Sequence, residues 1–194
     1  MKENIINFLK EQEICLNKTL NQSEEILKII KIIMHARDTN KKIFTMGNGG
    51  SGSTASHFVS DLLKTAILTK GNRFQAFSLV DNVSVILAWS NDSSYDEIFS
   101  EQLKNSLTKG DVIIAFSGSG NSKNIIKAFQ YGKKIGARCI GFTGKDGGKI
   151  KKYCDECFKI PSNDMLAIES QHVVICHCII SFIRKTGTPL FKYS

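Results

Sequence analysis

Two stretches rich in glycine and serine carry the clearest chemical signal in this chain. Residues 47–53 read Gly-Asn-Gly-Gly-Ser-Gly-Ser, and residues 117–122 read Ser-Gly-Ser-Gly-Asn-Ser. Each follows a short apolar run that predicts a buried strand, and each opens a segment with helical periodicity. Glycines let the backbone approach a ligand, and the free amides of a first helical turn bind anions together with the hydroxyls. The pattern predicts a phosphorylated small molecule held between two loops at the carboxyl ends of strands.

A second set of side chains could hold a metal ion and transfer protons. His57 and Asp61 are four residues apart, which on a helix places them on one face, and Glu169 and His177 lie in a later apolar helical segment. Two imidazoles and two carboxylates are a typical ligand set for zinc or a similar divalent cation. Glu169 and His177 are separated by about 12 Å along an ideal helix. They can therefore share one ion only if the helix is irregular or a neighbouring subunit contributes, and core packing remains the alternative for such residues.

The first loop also fits the dinucleotide-binding fingerprint Gly-x-Gly-x-x-Gly through Gly47, Gly49 and Gly52, with Asp81 after the next predicted strand. Two observations speak against this alternative. A pyrophosphate site relies on backbone donors and needs no second serine-rich loop, and Asp81 lies farther along than the usual spacing of about twenty residues. The hydroxyl-rich loops favour a sugar phosphate over a dinucleotide.

Composition narrows the class of protein. The chain has 194 residues, 42% of them hydrophobic, which fits one domain with a substantial core. Its net charge of +8 is spread over scattered lysines without an arginine-rich tract, so we expect no nucleic-acid partner. The apolar runs are too short to span a bilayer, no signal peptide is recognised, and the six cysteines show no framework spacing. We expect a cytoplasmic protein with reduced thiols and no membrane association.

Apolar periodicity predicts two amphipathic helices forming a hairpin, followed by alternating strands and helices. The predicted helices cover residues 2–20, 23–36, 53–68, 81–89, 94–107, 122–135 and 164–185. The predicted strands cover residues 42–46, 74–79, 111–116, 138–142 and 157–160. Because strands and helices alternate, we expect an α/β fold with a parallel sheet covered on both faces. Residues 1–40 are expected to serve packing and oligomerisation, and residues 41–194 to form one structural unit.

The motifs in combination resemble the sugar isomerase (SIS) domain of the phosphoheptose isomerases. The resemblance rests on residues 47–51, His57-Phe58, Asn91-Asp92, residues 117–122 and residues 143–148, in this order. It covers nearly the whole chain. It implies a five-stranded parallel sheet flanked by helices, a homotetramer with active sites shared between subunits, and one zinc ion per subunit. The implied reaction converts sedoheptulose 7-phosphate to D-glycero-D-manno-heptose 7-phosphate, for the heptose of bacterial surface polysaccharides.

The resemblance also implies roles for single residues. Asp61 and His177 would be the catalytic base and acid. The metal would be held by His57, Asp61, Glu169 and His177. Substrate contacts would come from Asn48, Gly49, Ser51, Asn91, Asp92, Ser117, Gly118, Ser119, Ser122 and Glu169.

Two positions depart from the family pattern. Asp61 stands where the family usually has Glu, and Glu169 stands where it usually has Gln. The two replacements either compensate for each other or mark an isomerase of a different sugar phosphate. A further alternative is a non-catalytic SIS protein that binds a sugar phosphate or a replication-initiator partner. Such a relative lacks the histidine corresponding to His177, so the presence of His57, Asp61 and His177 favours catalysis.

Overall fold

The computed structural model describes residues Met1–Lys192 as an α/β fold around one five-stranded parallel sheet. The strands are β1 (Lys42–Gly47), β2 (Gln75–Ser78), β3 (Val112–Phe116), β4 (Arg138–Thr143) and β5 (Glu156–Lys159). The helices are α1 (Lys2–Leu20), α2 (Ser23–Asp38), α3 (Gly50–Ser60), α4 (Val83–Asp92), α5 (Ser100–Lys104), α6 (Lys123–Ile135) and α7 (Met165–Lys185). This confirms the predicted fold class.

The strand order β2-β1-β3-β4-β5 places the two glycine-serine loops side by side. β1 and β3 are neighbours at the centre of the sheet, and Gly47 at the end of β1 pairs with Phe116 at the end of β3. The connections leave this pair in opposite directions across the sheet, which makes it the topological switch point. Open α/β sheets bind ligands at the carboxyl ends of strands at such a point.

The central strands β1, β3 and β4 contribute side chains to two apolar layers, one on each face of the sheet. Ile43, Ile114 and Phe142 face the layer built with α2, α3 and α7, whereas Phe44 and Ile113 face the layer built with α5 and α6. Because both faces are covered, the strands have continuous apolar sequences instead of alternating ones. The six cysteines are all unpaired thiols.

The amino-terminal helices pack onto the last helix. α1 and α2 follow each other across Asn21 and Gln22, and each makes its close contacts with α7 more than with the other. α7 is long and apolar enough to cross a membrane by length and composition, but half of its most apolar window is buried inside the fold. α7 therefore serves as a core helix that organises α1, α2 and α3 around one face of the sheet.

One predicted helix is wrong in extent. The segment predicted as a helix over residues 94–107 forms a 3₁₀ turn at Tyr95–Glu97 and then the five-residue α5. The Ser94 hydroxyl accepts a hydrogen bond from the backbone N–H of Asp96 and starts the turn. Ile98, Phe99 and Leu103 are buried in the apolar layer formed with β1, β3 and α6, so core packing outweighs helical propensity here.

Candidate active site

The first loop is tight because Gly47 and α3 approach each other closely. A Cβ at Gly47 would lie 2.4 Å from the backbone carbonyl of Ser51, so only glycine fits. Gly49 has a φ of +54°, which glycine adopts without strain. α3 then begins at Gly50, three residues earlier than predicted, and Ser51 is buried in its first turn. The amino-terminal end of α3 therefore faces the predicted phosphate site at close backbone range.

The second loop lies between α7 and the loop that follows β4. The Ser117 and Ser122 hydroxyls are 3.5 Å apart, and the Ser119 hydroxyl accepts a hydrogen bond from the backbone N–H of Asn121. Gly118 lies against Met165 of α7, where a Cβ would be 2.4 Å from the sulfur. The backbone N–H of Gly144 donates to the Gly118 carbonyl, at 3.0 Å. Three predicted phosphate ligands thus lie on a loop that is fixed on both sides.

Asn48 connects the two loops. Its side-chain amide and that of Asn124, in the first turn of α6, exchange two hydrogen bonds, of 2.8 and 3.1 Å. The Tyr95 hydroxyl donates a third hydrogen bond, to Asn48 Oδ1, at 2.9 Å. Asn48 and Tyr95 line a cavity of about 360 Å³ above the ends of β1 and β2. Neither Asn124 nor Tyr95 is marked as a site residue by the sequence, apart from the position of Asn124 two residues after Ser122.

His57, Asp61 and His177 form one cluster. The two Nε2 atoms of the histidines are 2.8 Å apart, and Asp61 Oδ2 lies 3.5 Å from His57 Nε2 and 3.7 Å from His177 Nε2. All three donor atoms lie within 4.8 Å of one another. Asp61 is buried, while the His57 and His177 side chains are 45% and 57% exposed. Two imidazole nitrogens and a carboxylate oxygen, open on one side, fit a zinc ion that keeps a position free for substrate.

Asp61 begins a π-helical turn. α3 continues at Asp61 into the π-helical turn Asp61–Thr65, in which the backbone N–H of Ala66 donates to the Asp61 carbonyl. The Thr65 hydroxyl donates to Asp61 Oδ1 at 2.8 Å, so one carboxylate oxygen is bound there and the other faces the histidines. Such turns are frequent at functional sites, because they change the direction of side chains on one helix.

Glu169 lies outside this three-residue cluster. Its carboxylate lies against Gly50 at the start of α3, where a Cβ would be 2.6 Å from Oε2. The partial positive charge of a helix amino terminus favours an anionic side chain at this place. Glu169, His57 and His177 nevertheless line one open cavity of about 530 Å³. Because α7 is a regular helix over Met165–Lys185, the eight residues from Glu169 to His177 span about two turns, or about 12 Å.

Asn91 and Asp92 occupy a different surface. Both are exposed at the carboxyl end of α4, where the Asn91 amide donates to the Asp92 carboxylate at 2.7 Å. Neither residue lines the cavity around Asn48 or the one around His57. The structure of one chain thus brings His57, Asp61 and His177 together and leaves Asn91 and Asp92 apart from them.

His172 belongs to the core. It is fully buried beside Phe116 and Phe142, and its Nε2–H donates to the carbonyl of Thr143 at 3.2 Å. Burial lowers the pKa of His172 to about 4, and the bond to the carbonyl opposes only part of this effect. The core interpretation of a histidine on an apolar helix is therefore correct for His172, whereas His177 lies in the exposed cluster.

Comparison with known proteins agrees with the fold and the loops. The SIS domain profile matches residues 7–144. A phosphoheptose isomerase from Clostridium acetobutylicum is 38% identical over 162 residues, which is 84% of this chain and 82% of the relative. One from Aliarcobacter butzleri is 35% identical over 184 residues, 94% of this chain and 97% of the relative. The solved phosphoheptose isomerase from Neisseria gonorrhoeae superposes with a TM-score of 0.89 at 26% identity, covering 95% of this chain and 98% of that one.

The switch-point loops and the histidine-aspartate cluster thus occur in a SIS-domain fold. The chain belongs to the phosphoheptose isomerase family of SIS-domain enzymes.

Proposed function

We propose that this chain interconverts sedoheptulose 7-phosphate and D-glycero-D-manno-heptose 7-phosphate, in the cytoplasm and for the heptose of surface polysaccharides. The observation that carries the proposal is the position of the His57, Asp61 and His177 cluster at the far end of α3 from the serine loops. One helix therefore carries a phosphate-binding start and a proton-transferring end. The similarity of this chain to phosphoheptose isomerases, over more than four fifths of its length, supports the choice of sugar.

The reaction moves a carbonyl from C2 to C1 of the sugar by two proton transfers. Asp61 takes a proton from C1 of the ketose and returns it to C2, through an enediolate. His177 moves the proton between the two sugar oxygens, and its Nε2 lies 2.8 Å from His57 Nε2, with which it can exchange that proton. Ser51, Ser117, Ser119 and Ser122, with Gly49 and Gly118, hold the phosphate and thereby fix the reacting carbons. Asn48 contacts the sugar.

His57, Asp61 and His177 would hold a zinc ion, one per subunit, and Glu169 would contact the substrate from the cavity that it shares with the two histidines. A bound zinc ion stabilises negative charge on an enediolate oxygen. Thr65 keeps one oxygen of Asp61 occupied, so the other is directed at the cluster. The carboxylate of Asp61 would therefore serve both as a metal ligand and as the catalytic base.

A homotetramer with shared active sites is part of the proposal. The exposed face of α1 carries large apolar residues that the rest of Met1–Lys192 leaves uncovered, and Asn91 and Asp92 lie apart from the site of their own chain. In a tetramer, the helices of residues 1–40 would bury the first surface. Asn91 and Asp92 would then contact the substrate of a neighbouring subunit.

The test is incubation of purified protein with sedoheptulose 7-phosphate and with ketose phosphates of five and six carbons. Aldose phosphate is followed by NMR in D₂O. Formation of heptose 7-phosphate with deuterium at C2 supports both the substrate and the proton transfer. Turnover of a shorter ketose phosphate, without turnover of sedoheptulose 7-phosphate, would show that the shorter sugar phosphate is the substrate. Binding without turnover of any of them would favour the non-catalytic sugar-phosphate binder.

A further inference from the structure

Asn48 has little hydrogen-bonding capacity left for a ligand. A side-chain amide has two lone pairs on oxygen and two N–H hydrogens. Asn124 and Tyr95 both donate to Asn48 Oδ1, at 2.8 and 2.9 Å, so the oxygen is fully occupied. One N–H hydrogen goes to Asn124 Oδ1 at 3.1 Å. For the other, Met1–Lys192 offers no protein acceptor, so Asn48 can offer a ligand one donor and no acceptor.

The orientation of the two amides is fixed by the backbone of α6. A reciprocal amide pair could be turned over as a unit with its hydrogen bonds kept, because O and N would exchange places on both sides. Here the backbone N–H of Ile125 donates to Asn124 Oδ1 at 2.9 Å. A turned Asn124 would place its NH₂ group against this N–H. Asn124 Oδ1 is therefore the acceptor, and Asn124 Nδ2 must donate to Asn48.

Burial makes this arrangement rigid. Asn124 is 2% exposed, so a lost partner is not replaced by water without cost. Tyr95 is half exposed at the rim of the cavity and adds its bond from the solvent side. Hydrogen bonds thus connect the Ile125 backbone of α6 to Asn124 and Asn124 to Asn48. They join the helix that follows the second glycine-serine loop to the first glycine-serine loop.

We infer that Asn124 and Tyr95 are positioning residues that hold Asn48 as a hydrogen-bond donor, so that this part of the site accepts an oxygen of the sugar phosphate and rejects a donor group. The inference rests on the proposed function for the identity of the ligand. Neither residue needs to touch the substrate. Their effect on catalysis passes through Asn48.

The first experiment is a double-mutant cycle on kcat/KM for sedoheptulose 7-phosphate. Asn124→Ala is expected to lower kcat/KM about tenfold, and Tyr95→Phe about threefold, the usual range for the loss of one or two hydrogen bonds. In an Asn48→Ala background, each change is expected to have less than about a twofold further effect, because its target is gone. Tyr153→Phe is the matched control, since the Tyr153 hydroxyl binds Gln130 and Lys152 and neither Asn48 nor Asn124.

Full additivity in the Asn48→Ala background would overturn the inference. A merely structural role of Asn124 would lower kcat/KM equally in both backgrounds, so the cycle separates the two roles. Tyr95→Phe removes one exposed hydroxyl and keeps the fold, so it gives the answer even if Asn124→Ala does not fold.

The second experiment needs no substrate. The side-chain amide resonances of Asn48, assigned by their loss in Asn48→Ala, are recorded in ¹⁵N-labelled protein. Shifts towards solvent-exposed positions in Tyr95→Phe and Asn124→Ala, and none in Tyr153→Phe, support the inference. Unchanged resonances overturn it. Wild-type protein without turnover of sedoheptulose 7-phosphate would instead contradict the proposed function and leave this readout intact.

Discussion

Among single residues, Asp61 has two proposed roles, as a metal ligand and as the catalytic base. It is buried, one carboxylate oxygen accepts from Thr65, and the other faces two imidazoles. Aspartate is one methylene shorter than the glutamate usual in the family. The π-helical turn that starts at Asp61 is the local feature that sets where its carboxylate points.

Asp61→Asn keeps the shape of the side chain and removes its basicity. If Asp61 is the base, turnover of sedoheptulose 7-phosphate should fall by about 10²–10⁴-fold. Steady-state kinetics and metal analysis are measured on the variant and on His57→Ala, which should lose the metal together with activity. Asp38→Asn is the control, because Asp38 pairs with Arg37 on the surface of α2. An active Asp61→Asn enzyme would remove Asp61 from the mechanism.

His172 should make stability depend on pH in a defined window. Its pKa is about 4 in the folded protein and about 6.5 in the unfolded chain, so the unfolded state binds the proton first. Stability is therefore complete above pH 6.5 and declines as the pH falls towards 4, by on the order of 3 kcal/mol in all.

Urea unfolding between pH 4 and pH 7 measures this decline. It should become shallower in His172→Gln, whose amide can still donate to the Thr143 carbonyl. His35→Gln, on the exposed side of α2, should leave the decline as it is. A profile that is equally steep in wild type and His172→Gln would show that other groups cause it.

The residue types of the site were predictable from the sequence, but their exact partners were not. His57 and Asp61 share a helix face because of their spacing, so their proximity follows from periodicity alone. His172 and His177 are both on α7, and only the packing of α7 against the sheet decides which of them is buried. Asn124 had no signal of its own, because its role depends on a contact with Asn48 across 76 residues of sequence.

The second glycine-serine loop packs closely against the loop over residues 144–148, because glycine permits contacts between their backbones. Gly120 has a φ of +62°, and a Cβ there would lie 2.1 Å from the carbonyl oxygen of Gly147. Gly148, with a φ of +60°, lies equally close to the Ser119 carbonyl. The loop over residues 144–148 therefore holds the backbone of residues 117–122, the second predicted phosphate loop, in place.

Gly120→Ala tests this support. The added methyl group meets backbone atoms that cannot rotate away, so phosphate and sugar-phosphate binding should fall at least tenfold and thermal stability should drop. Gly71→Ala is the matched control: Gly71 also has a positive φ, of +96°, but nothing lies within 4 Å of its added Cβ. Calorimetry with inorganic phosphate and thermal unfolding measure both effects. Equal losses in the two variants would assign the effect to backbone strain alone.

The order of the elements was largely predictable, because buried parallel strands have short continuous apolar runs and the loops at their ends are rich in glycine. The helix predicted over residues 94–107 was wrong in extent, because Ser94 starts a 3₁₀ turn at Tyr95–Glu97 and α5 covers only Ser100–Lys104. The start of α3 was placed three residues too late, since Gly50 and Gly52 hide helical periodicity.

At the scale of the whole molecule, α1 is the element that one chain does not explain. Ile5, Leu9, Leu16 and Leu20 lie on one face of the helix and are 62%, 59%, 39% and 67% exposed. Only Cys15 and Thr19 of α1 are buried among the residues described. Exposed apolar side chains grouped on one helix face in this way usually mark an interface, since exposed patches are costly in water.

Leu9→Glu should separate the proposed tetramer into smaller species, because it places a charge in the middle of this stripe. Light scattering at micromolar concentration should give about four times the chain mass of 21.6 kDa for the wild type and less for the variant. Lys10→Glu is the control, since Lys10 is exposed on another face of α1. Activity should fall with the mass, because Asn91 and Asp92 would then lack the site of a neighbour. A wild-type monomer would contradict the assembly. A monomeric but fully active Leu9→Glu variant would contradict the sharing of active sites, and would return Asn91 and Asp92 to the surface of α4 without a role in binding.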